Sequence, residues 1–278
     1  MYSIRQSAAH PDAACVFQHV PWLAGMTRQN LHSVEMLRDK LAQWEGSFRG
    51  AARNAAAVSS GCPPLDRLLP GGGFARGTLV EWLAAADGSG AGTLAVLAAR
   101  EACRDGDWLV LIDRRRDWYP PELLRWGIPP ETLLWVQPRG DADAAWALDQ
   151  ALRCPAVAAT LAWIDAIDGH SFRRWQLAAE QGGGLGLLVR PASARNEASW
   201  ADVRLAVEPA LALAPALATV EPAPATADVR RLRIYVVRCR NGAGDGSVEV
   251  EIDDETHRVC LASPLAAPET RSREAEAS

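Results

Sequence analysis

The stretch of residues 80–94 decides the fold, and it reads VEWLAAADGSGAGTL. Here an apolar strand turns into a helix through a glycine-rich segment, which is where a phosphate-binding loop belongs. Such a loop reads G-x-x-x-x-G-K-[ST], because backbone N–H groups cradle the phosphates, the lysine neutralises the β and γ oxygens, and the hydroxyl binds magnesium. In this chain Gly90 is followed by Ala91 and Gly92, so the lysine and the hydroxyl are both missing.

The rest of the sequence offers no obvious replacement for that lysine. The only lysine among the 278 residues is Lys40, in a separate N-terminal segment, and an arginine reaches phosphates with a planar fork instead of a compact charge. If each lost charge-assisted contact is worth about 1.5–3 kcal/mol, the two losses together remove about 3–6 kcal/mol of binding free energy. We therefore expect no tight ATP binding and no cofactor. We interpret the segment as a vestigial phosphate loop with the residues Gly88, Gly90, Ala91, Gly92 and Thr93.

The composition is that of an ordinary globular protein. Hydrophobic residues make up 49% of the chain and charged residues 23%, which is typical of soluble domains. The 29 basic residues face 34 acidic ones, giving a net charge of −5. This balance argues against a protein that coats DNA, but it leaves a local basic face open.

Cysteine usage and hydropathy indicate a cytoplasmic protein. The six cysteines are scattered without a C-x-x-C pair or a neighbouring histidine, so we predict neither a zinc site nor a disulfide framework, and we expect no bound metal. Charged residues and histidines interrupt the first 26 residues, which argues against a signal peptide. No apolar run of 18 residues follows, so no membrane span is predicted.

The chain divides into an arm, a domain and a tail. Residues 1–57 form the arm, in which apolar residues recur at three- and four-residue steps from Leu31 to Leu41 and predict an amphipathic helix. This helix packs on its own core or docks on another protein, and Met26 is a second candidate for the translation start. Residues 58–262 form the domain, interrupted by a flexible, Pro- and Ala-rich excursion at 209–228. The tail, 263–278, is expected to be disordered.

Within the domain, short apolar runs alternate with helical segments, which is typical of a parallel sheet covered on both faces. The predicted strands are 78–83, 108–113, 133–136, 160–165 and 185–189. The predicted helices are 94–103, 121–126, 141–153, 171–181. Three later strands, 203–207, 232–236 and 248–252, alternate apolar with polar residues and predict an antiparallel, half-exposed extension. The fold class is therefore α/β, a mostly parallel sheet flanked by helices, with an antiparallel C-terminal extension.

The order of these features resembles the RecA-like recombinase core over roughly residues 58–252. The matching segments are the lead-in 58–66, the turn 71–77, the degenerate loop, the strand ends 111–113 and 163–165, and the late strand 203–205. The connections 165–185 and 189–203 resemble the places where recombinases insert the loops that grip single-stranded DNA. Because both are short here, filament-style DNA binding is not expected.

More narrowly, residues 70–74 and 77–81 followed by the lysine-free loop resemble the ImuA family, RecA-like and SulA-like accessory proteins of bacterial translesion mutagenesis cassettes. The resemblance implies a role in the SOS response to DNA damage. It also implies partners, namely the Y-family polymerase-like protein ImuB, an error-prone replicative-type polymerase and RecA itself.

Two positions decide how far the recombinase mechanism carries over. Arg115 falls where the resemblance places the glutamate that activates the attacking water, and a cation cannot act as that base. Asp165 matches the second acidic motif. It either pairs with an arginine or caps a turn, which we favour, or it ligates magnesium. Thr93 offers at best a displaced hydroxyl, so we expect no catalytic residue.

Three arginine clusters are candidates for a contact with DNA. They are residues 114–116 beside Trp118 and Tyr119, residues 173–174 beside Trp175, and a stripe formed by Arg230, Arg231, Arg233, Arg238 and Arg240. Arginines contact phosphates and aromatic rings stack on bases, but solvated turns and faces have the same composition. Four tryptophans in predicted strands are assigned to core packing: Trp82, Trp108, Trp135 and Trp163.

These observations predict a non-catalytic RecA-like accessory protein that acts by protein contact. Three alternatives stay open. The first is a weak or partner-completed ATPase that binds DNA. The second is a SulA-like inhibitor of the division protein FtsZ. The third is direct modulation of the recombinase.

Overall fold

The computed structural model describes residues 57–210, 229–240, 242, 246–255 and 258–262. The predicted amphipathic helix, most of the Pro- and Ala-rich excursion and the tail 263–278 lie outside the described residues. The predicted domain boundaries therefore stay predictions.

The described residues form one nine-stranded sheet in the order β3-β2-β4-β5-β1-β6-β7-β8-β9. The six strands from β3 to β6 are parallel, and β7, β8 and β9 continue the sheet antiparallel. The strand bounds are β1 Leu79–Ala84, β2 Trp108–Ile112, β3 Leu133–Val136, β4 Val157–Trp163, β5 Leu185–Pro191, β6 Val203–Pro209, β7 Val229–Cys239, β8 Gly246–Asp253 and β9 Arg258–Leu261.

Helices cover both faces of the parallel part. Their bounds are α1 Pro63–Asp66, α2 Ala91–Ala102, α3 Pro120–Arg125, α4 Asp141–Arg153 and α5 Gly169–Gly182. One core lies between the sheet and α2, where Leu94 and Leu97 are fully buried. The other lies under α4 and α5, around Phe172 and Trp175. Because both faces are covered, β1, β4 and β5 are buried along nearly their whole length, as their continuous apolar sequences require. Among the described residues, no helix has both the length and the apolar character to cross a membrane.

The mostly parallel α/β sheet with an antiparallel extension is confirmed, and three details differ from the prediction. Strand β6 was predicted to be antiparallel, but it runs parallel to β1 and is antiparallel only to β7. Its alternating sequence misled the prediction because a buried arginine, Arg204, lies within it. Strand β9 was not predicted, since its four residues carry little pattern. Helix α2 begins at Ala91, three residues before the predicted start at residue 94. The prediction missed the first turn because Ala91, Gly92 and Thr93 show no apolar periodicity.

A buried ion-pair network fixes the connection between β5 and β6. Glu81, in the central strand β1, is fully buried and accepts a hydrogen bond from Arg190 Nη1 at 2.7 Å. Its other oxygen lies 2.6 Å from Arg204 Nε and accepts from Ser199 at 2.7 Å. Arg204 also donates to the carbonyl oxygens of Ala194, Arg195 and Glu197. The short connection that follows β5 is therefore held to the sheet by charged groups that water does not reach.

Candidate functional site

The degenerate loop keeps the backbone form of a phosphate loop. It leaves the carboxyl end of β1, and Gly88 and Gly90 have φ angles of 76° and 88°, which only glycine adopts easily. Helix α2 starts directly after Gly90. The N–H groups of its first turn have no acceptor inside the helix. The strand, the turn and the helix start are thus all present.

The side chains around the helix start do not suit a triphosphate. Ala91, at the place of the lysine, is only 1% exposed. A Cβ atom at Gly92, the place of the magnesium-binding hydroxyl, would lie 3.2 Å from Trp163 Cζ2 and 3.8 Å from Trp118 Cη2. Two tryptophan rings therefore occupy the space next to the helix start.

Arg115 and Asp165 form an ion pair beside the loop. The Arg115 guanidinium also lies 5.4 Å from the centre of the Trp163 ring, which is cation–π distance, and 3.9 Å from Asp87. Asp165 thus pairs with an arginine in this structure, and its vestigial role stays a prediction. The residue in place of the catalytic acid and the remaining acidic residue thus contact each other.

A second arginine reaches the loop from the antiparallel extension. Arg230, on β7, forms a two-pronged ion pair with Asp254 at 2.5 and 2.6 Å, and its Nη2 lies 3.4 Å from Thr93 Oγ1. This contact was not predicted, because the sequence pattern placed Arg230 in a surface stripe. The one hint of this contact is that Arg230 lies near the start of β7, the strand that pairs with β6 in the sheet. The loop therefore has two cations nearby, both of them neutralised.

A cleft of about 520 Å³ opens beside the loop. Its apolar wall includes Leu123 and three tryptophans, Trp118, Trp126 and Trp163, and its polar groups include Asp117. A smaller cavity of about 190 Å³ lies over the ends of β1 and β5, and Arg115 and Trp163 line both. The side chains of Arg115 and Trp163 thus stand between the two cavities.

The cleft is negatively charged once its ion pairs are counted. The carboxylates are those of Asp87, Asp117 and Glu122 in the lining and of the arginine partners Asp165 and Asp254. With Arg125, the ion-pair partner of Glu122, these five carboxylates oppose three arginines, so the formal charge is −2. A phosphate charge and a carboxylate that lie about 8 Å apart repel each other by about 0.5 kcal/mol at an effective dielectric constant of about 80, and by about 2 kcal/mol at about 20. The cleft therefore repels a polyphosphate.

The predicted basic stripe is a ladder of ion pairs. Arg231 pairs with Glu251, and Arg233 pairs with Glu249 on the neighbouring strand β8. The hydrogen bonds that Arg233 donates to Tyr235 and Glu249 raise the pKa of Arg233 above its usual value. In the same stripe, Arg238 donates to the carbonyl of Ala201 and Arg240 pairs with Asp202. The stripe is therefore not a free basic surface.

The other arginine clusters are also largely engaged. Arg114 pairs with Asp141, Arg174 lies 3.2 Å from Asp149, and Arg173 lies 4.9 Å from the centre of the Trp200 ring.

Within the described residues, no group of three His, Cys, Asp or Glu side chains is placed to hold a metal ion.

The prediction that all four strand tryptophans serve core packing is wrong for Trp135, whereas Trp163 packs against the core and also lines the cleft. Trp82 is fully buried. Trp135 is 38% exposed and donates its indole N–H to Asp113, and Trp163 lines the cleft. Trp163 ends its strand and Trp135 lies one residue from the end of its own, where the covering helices no longer reach. Hydropathy alone does not separate such positions from the strand centre.

Comparison with solved structures shows which class of protein this is. The crystal structure of the RadB recombinase superposes with a TM-score of 0.55 at 16% sequence identity, covering 74% of this chain and all of that one. Together with the loop at the carboxyl end of β1, this defines a RecA-like α/β protein. The sequence is 30% identical over 244 residues to Protein ImuA of Caulobacter vibrioides, covering 81% of this chain and 97% of that protein. The chain belongs to the ImuA family.

Two further relatives match only part of the chain. Cell division inhibitor SulA of Photorhabdus laumondii is 24% identical over 105 residues, which cover 38% of this chain and 59% of that protein. Protein RecA of Chlorobaculum parvum is 32% identical over 107 residues, which cover 38% of this chain and 30% of that protein. No protein-family model matches the sequence.

Proposed function

We propose that this chain is a non-catalytic accessory protein of damage-induced translesion synthesis in the cytoplasm. It acts by protein contact with the Y-family polymerase-like protein ImuB and with an error-prone replicative-type polymerase, and RecA is a further partner. Membership of the ImuA family supports this role.

The observation that carries the non-catalytic part is the arrangement of Arg115, Asp165 and Trp163. An active site of this fold needs a free carboxylate to activate water and a cation for the phosphates. Here an arginine, Arg115, lies where that carboxylate is expected, and it pairs with the remaining acidic residue, Asp165, beside the Trp163 ring. The position of the lysine is a buried alanine, Ala91. The groups that would perform the chemistry are therefore absent or engaged.

The connection between β5 and β6 supports protein contact over filament-style DNA binding. It consists of about a dozen residues, 192–202, and the buried network of Glu81, Arg190 and Arg204 holds it to the sheet. A loop that wraps single-stranded DNA needs freedom to move and a row of available cations. This segment offers neither.

The test is a co-purification from damaged cells with the full chain as bait. We expect ImuB and the polymerase to be recovered with the wild type and equally with Asp165→Ala, because the contacts do not depend on nucleotide chemistry. Loss of both partners from the Asp165→Ala sample, together with ATP hydrolysis by the wild type, would support the partner-completed ATPase instead.

The partial match to SulA favours one further candidate, inhibition of cell division. This function predicts that overproduction in undamaged cells lacking both polymerases still blocks division. The measurement is cell length after induction. Normal cell length at a confirmed high protein level would remove the candidate.

A further inference from the structure

Trp200 is an exposed tryptophan whose backbone is held on both sides. Its side chain is 39% exposed. Ser199, before it, donates its hydroxyl to the buried Glu81 at 2.7 Å and accepts from the N–H of Ala201 at 3.1 Å. Ala201 is fully buried, and its carbonyl oxygen accepts from Arg238 at 2.7 Å. The connection between β5 and β6 therefore presents a large aromatic side chain to solvent from a fixed backbone.

An arginine of the neighbouring helix holds the Trp200 ring. The Arg173 guanidinium, on α5, lies 4.9 Å from the ring centre, which is cation–π distance. Arg173 also donates to Gln176. Tryptophan and arginine are the side chains that most often anchor protein interfaces, and an anchor that is already ordered loses little entropy on binding. Trp200 and Arg173 have both properties.

An apolar strip continues from this pair over the outer faces of α5 and α4. Leu177 lies one helical turn after Arg173 and is 44% exposed. Trp146, on α4, is half exposed. Between them, Arg174 and Asp149 join the two helices by an ion pair at 3.2 Å, and each lies one helical turn from Leu177 or Trp146. The result is one continuous α4–α5 surface, which consists of Trp146, Asp149, Arg173, Arg174, Leu177 and Trp200.

One end of this surface carries unpaired positive charge. Arg173, over the indole ring, and Arg195, exposed in the same connection, have no carboxylate at ion-pair distance among the described residues. The nearby carboxylate of Glu197 is held by the buried Arg190 at 2.6 Å, and Glu180 lies two turns further along α5. A carboxylate from another molecule would find free guanidinium donors here, and such pairs form strong, often two-pronged hydrogen bonds.

The other end of the surface is electrically balanced. Asp149 lies 3.0 Å from Arg153 and 3.2 Å from Arg174. Asp143, one helical turn before Trp146, supplies the second carboxylate. The two carboxylates thus offset the two arginines, and the exposed apolar side chains dominate this end.

This combination favours a protein segment over a nucleic acid. Arg173 already covers one face of the Trp200 ring, whereas a base needs a ring face on which to stack. A nucleic-acid track also needs a row of available cations, but Asp149 engages Arg153 and Arg174. A protein segment with carboxylates and large apolar side chains matches both ends of the surface.

We propose that the α4–α5 surface is a docking site for a segment of a partner protein that carries carboxylates at one end and large apolar side chains at the other. The carboxylates bind Arg173 beside Trp200, and the apolar side chains pack on Leu177 and Trp146. The inference rests on the proposed function, because it assigns one of the protein contacts to this surface.

The test uses the full chain and two matched probes, acetyl-Glu-Glu-Leu-Leu-amide and its neutral counterpart acetyl-Gln-Gln-Leu-Leu-amide. Binding is followed by the NMR signals of the Trp200 and Trp146 indole N–H groups, assigned with Trp200→Phe and Trp146→Phe. We expect the acidic peptide to shift both signals saturably and to bind more tightly than the neutral one. Arg173→Gln should weaken the acidic peptide about two- to fivefold, as expected for the loss of an exposed ion pair, and should leave the neutral peptide unchanged.

Two control variants lie on the opposite face of the sheet, where α1 and α3 pack into the core beneath α2. Arg67→Gln removes the same charge directly after α1. Leu124→Ser, on α3, matches Leu177→Ser, because the two leucines are 46% and 44% exposed. Both controls should leave peptide binding unchanged, whereas Leu177→Ser should weaken both peptides. Equal binding of the two peptides, or equal effects of Arg67→Gln and Arg173→Gln, would overturn the inference.

Two other occupants have signatures of their own. Tighter binding of a single-stranded thymidine octamer than of the acidic peptide, seen in the Trp200 signal, would make the surface a nucleic-acid site. A dimer of the chain that Leu177→Ser dissociates in analytical ultracentrifugation would make the occupant a second copy. Either result would overturn the inference.

Co-purification from damaged cells distinguishes failure of this inference from failure of the proposed function. We expect the double variant Arg173→Gln/Leu177→Ser to recover less ImuB or less polymerase than the double control Arg67→Gln/Leu124→Ser. If the two recover both proteins equally, the surface is not the docking site, and the proposed function stands. If the wild type recovers neither protein, the proposed function itself fails, and the inference fails with it.

Discussion

At the scale of single residues, the buried charges carry more free energy than the exposed ones. Glu81 and Arg190 are fully buried and Arg204 nearly so. Removing one member of such a network leaves an uncompensated charge that water cannot solvate. By contrast, Arg115 and Asp165 are partly exposed, with side chains 32% and 53% accessible, and exposed pairs contribute little.

We predict that Glu81→Ala lowers the free energy of unfolding by about 3–5 kcal/mol, because it leaves the buried Arg204 without a carboxylate partner and Arg190 with Glu197 alone. Urea denaturation followed by tryptophan fluorescence measures this loss. Glu131→Ala, at an exposed position, is the control and should change stability by less than about 0.5 kcal/mol. A loss below about 1 kcal/mol for Glu81→Ala would show that the network does not stabilise the fold as described.

Asp165 provides a second residue-scale prediction. Asp165→Asn should change the free energy of unfolding by less than about 1 kcal/mol, because its ion pair with Arg115 is partly exposed. Magnesium should not alter the melting temperature of either the wild type or the variant. The measurement is thermal unfolding with and without magnesium chloride. A rise in melting temperature with magnesium in the wild type alone would assign Asp165 to a metal site.

At the scale of elements, the packing around the start of α2 argues against restoring the site by restoring the motif. Ala91 is buried, and Trp163 and Trp118 lie against Gly92. A lysine at residue 91 would have to bury its charge or displace these rings, and burying an ion costs several kcal/mol.

We therefore predict that Ala91→Lys destabilises the fold and gives no tight ATP binding. Ala91→Met, of similar length but uncharged, is the control: it should destabilise less, and the difference reports the buried charge. Denaturation and calorimetric titration with ATP and magnesium measure the two effects. Micromolar ATP binding by Ala91→Lys would mean that the lysine was the only missing part.

The elements also show how far sequence reasoning reaches. Continuous apolar runs predicted β2 and β3 almost residue for residue, although only β2 is buried along most of its length and two of the four residues of β3 are exposed. The parallel pairing of β6 with β1 was missed, since Arg204 in β6 has the sequence pattern of a solvent-facing residue unless its partner Glu81 is known. The signal was present, since Glu81 and Arg204 each interrupt an apolar strand and have opposite charges.

The cleft was harder to predict than the sheet. Short sequence motifs predicted the degenerate loop, Asp165 and the strand ends at which both lie. Arg230 and Trp118 reach the loop from segments distant in sequence. Arg230 reaches the loop because β7 packs beside β6, and Trp118 reaches it from the segment before α3. No short sequence pattern encodes such packing.

At the scale of the whole molecule, the core keeps reactive groups out of reach. Burial raises the pKa of the Cys62 thiol to about 11. The folded state therefore favours the neutral thiol, and this contribution to stability is lost as the pH rises from about 9 towards 11. Cys260, on the last strand, is exposed.

We predict that iodoacetamide at pH 8 labels Cys260 in the folded protein and leaves Cys62 unmodified until urea unfolds the chain. Mass spectrometry of the labelled peptides measures the two rates. Comparable labelling of both cysteines without urea would contradict the packing described around the lead-in to β1.

The central claim is that the phosphate loop no longer serves a nucleotide. Calorimetric titration of the purified full chain with ATP and magnesium tests it most directly. The account predicts no saturable heat at ATP concentrations up to about 1 mM, which corresponds to less than about 4 kcal/mol of binding free energy. One-to-one binding in the micromolar range, abolished by Asp165→Ala, would contradict it.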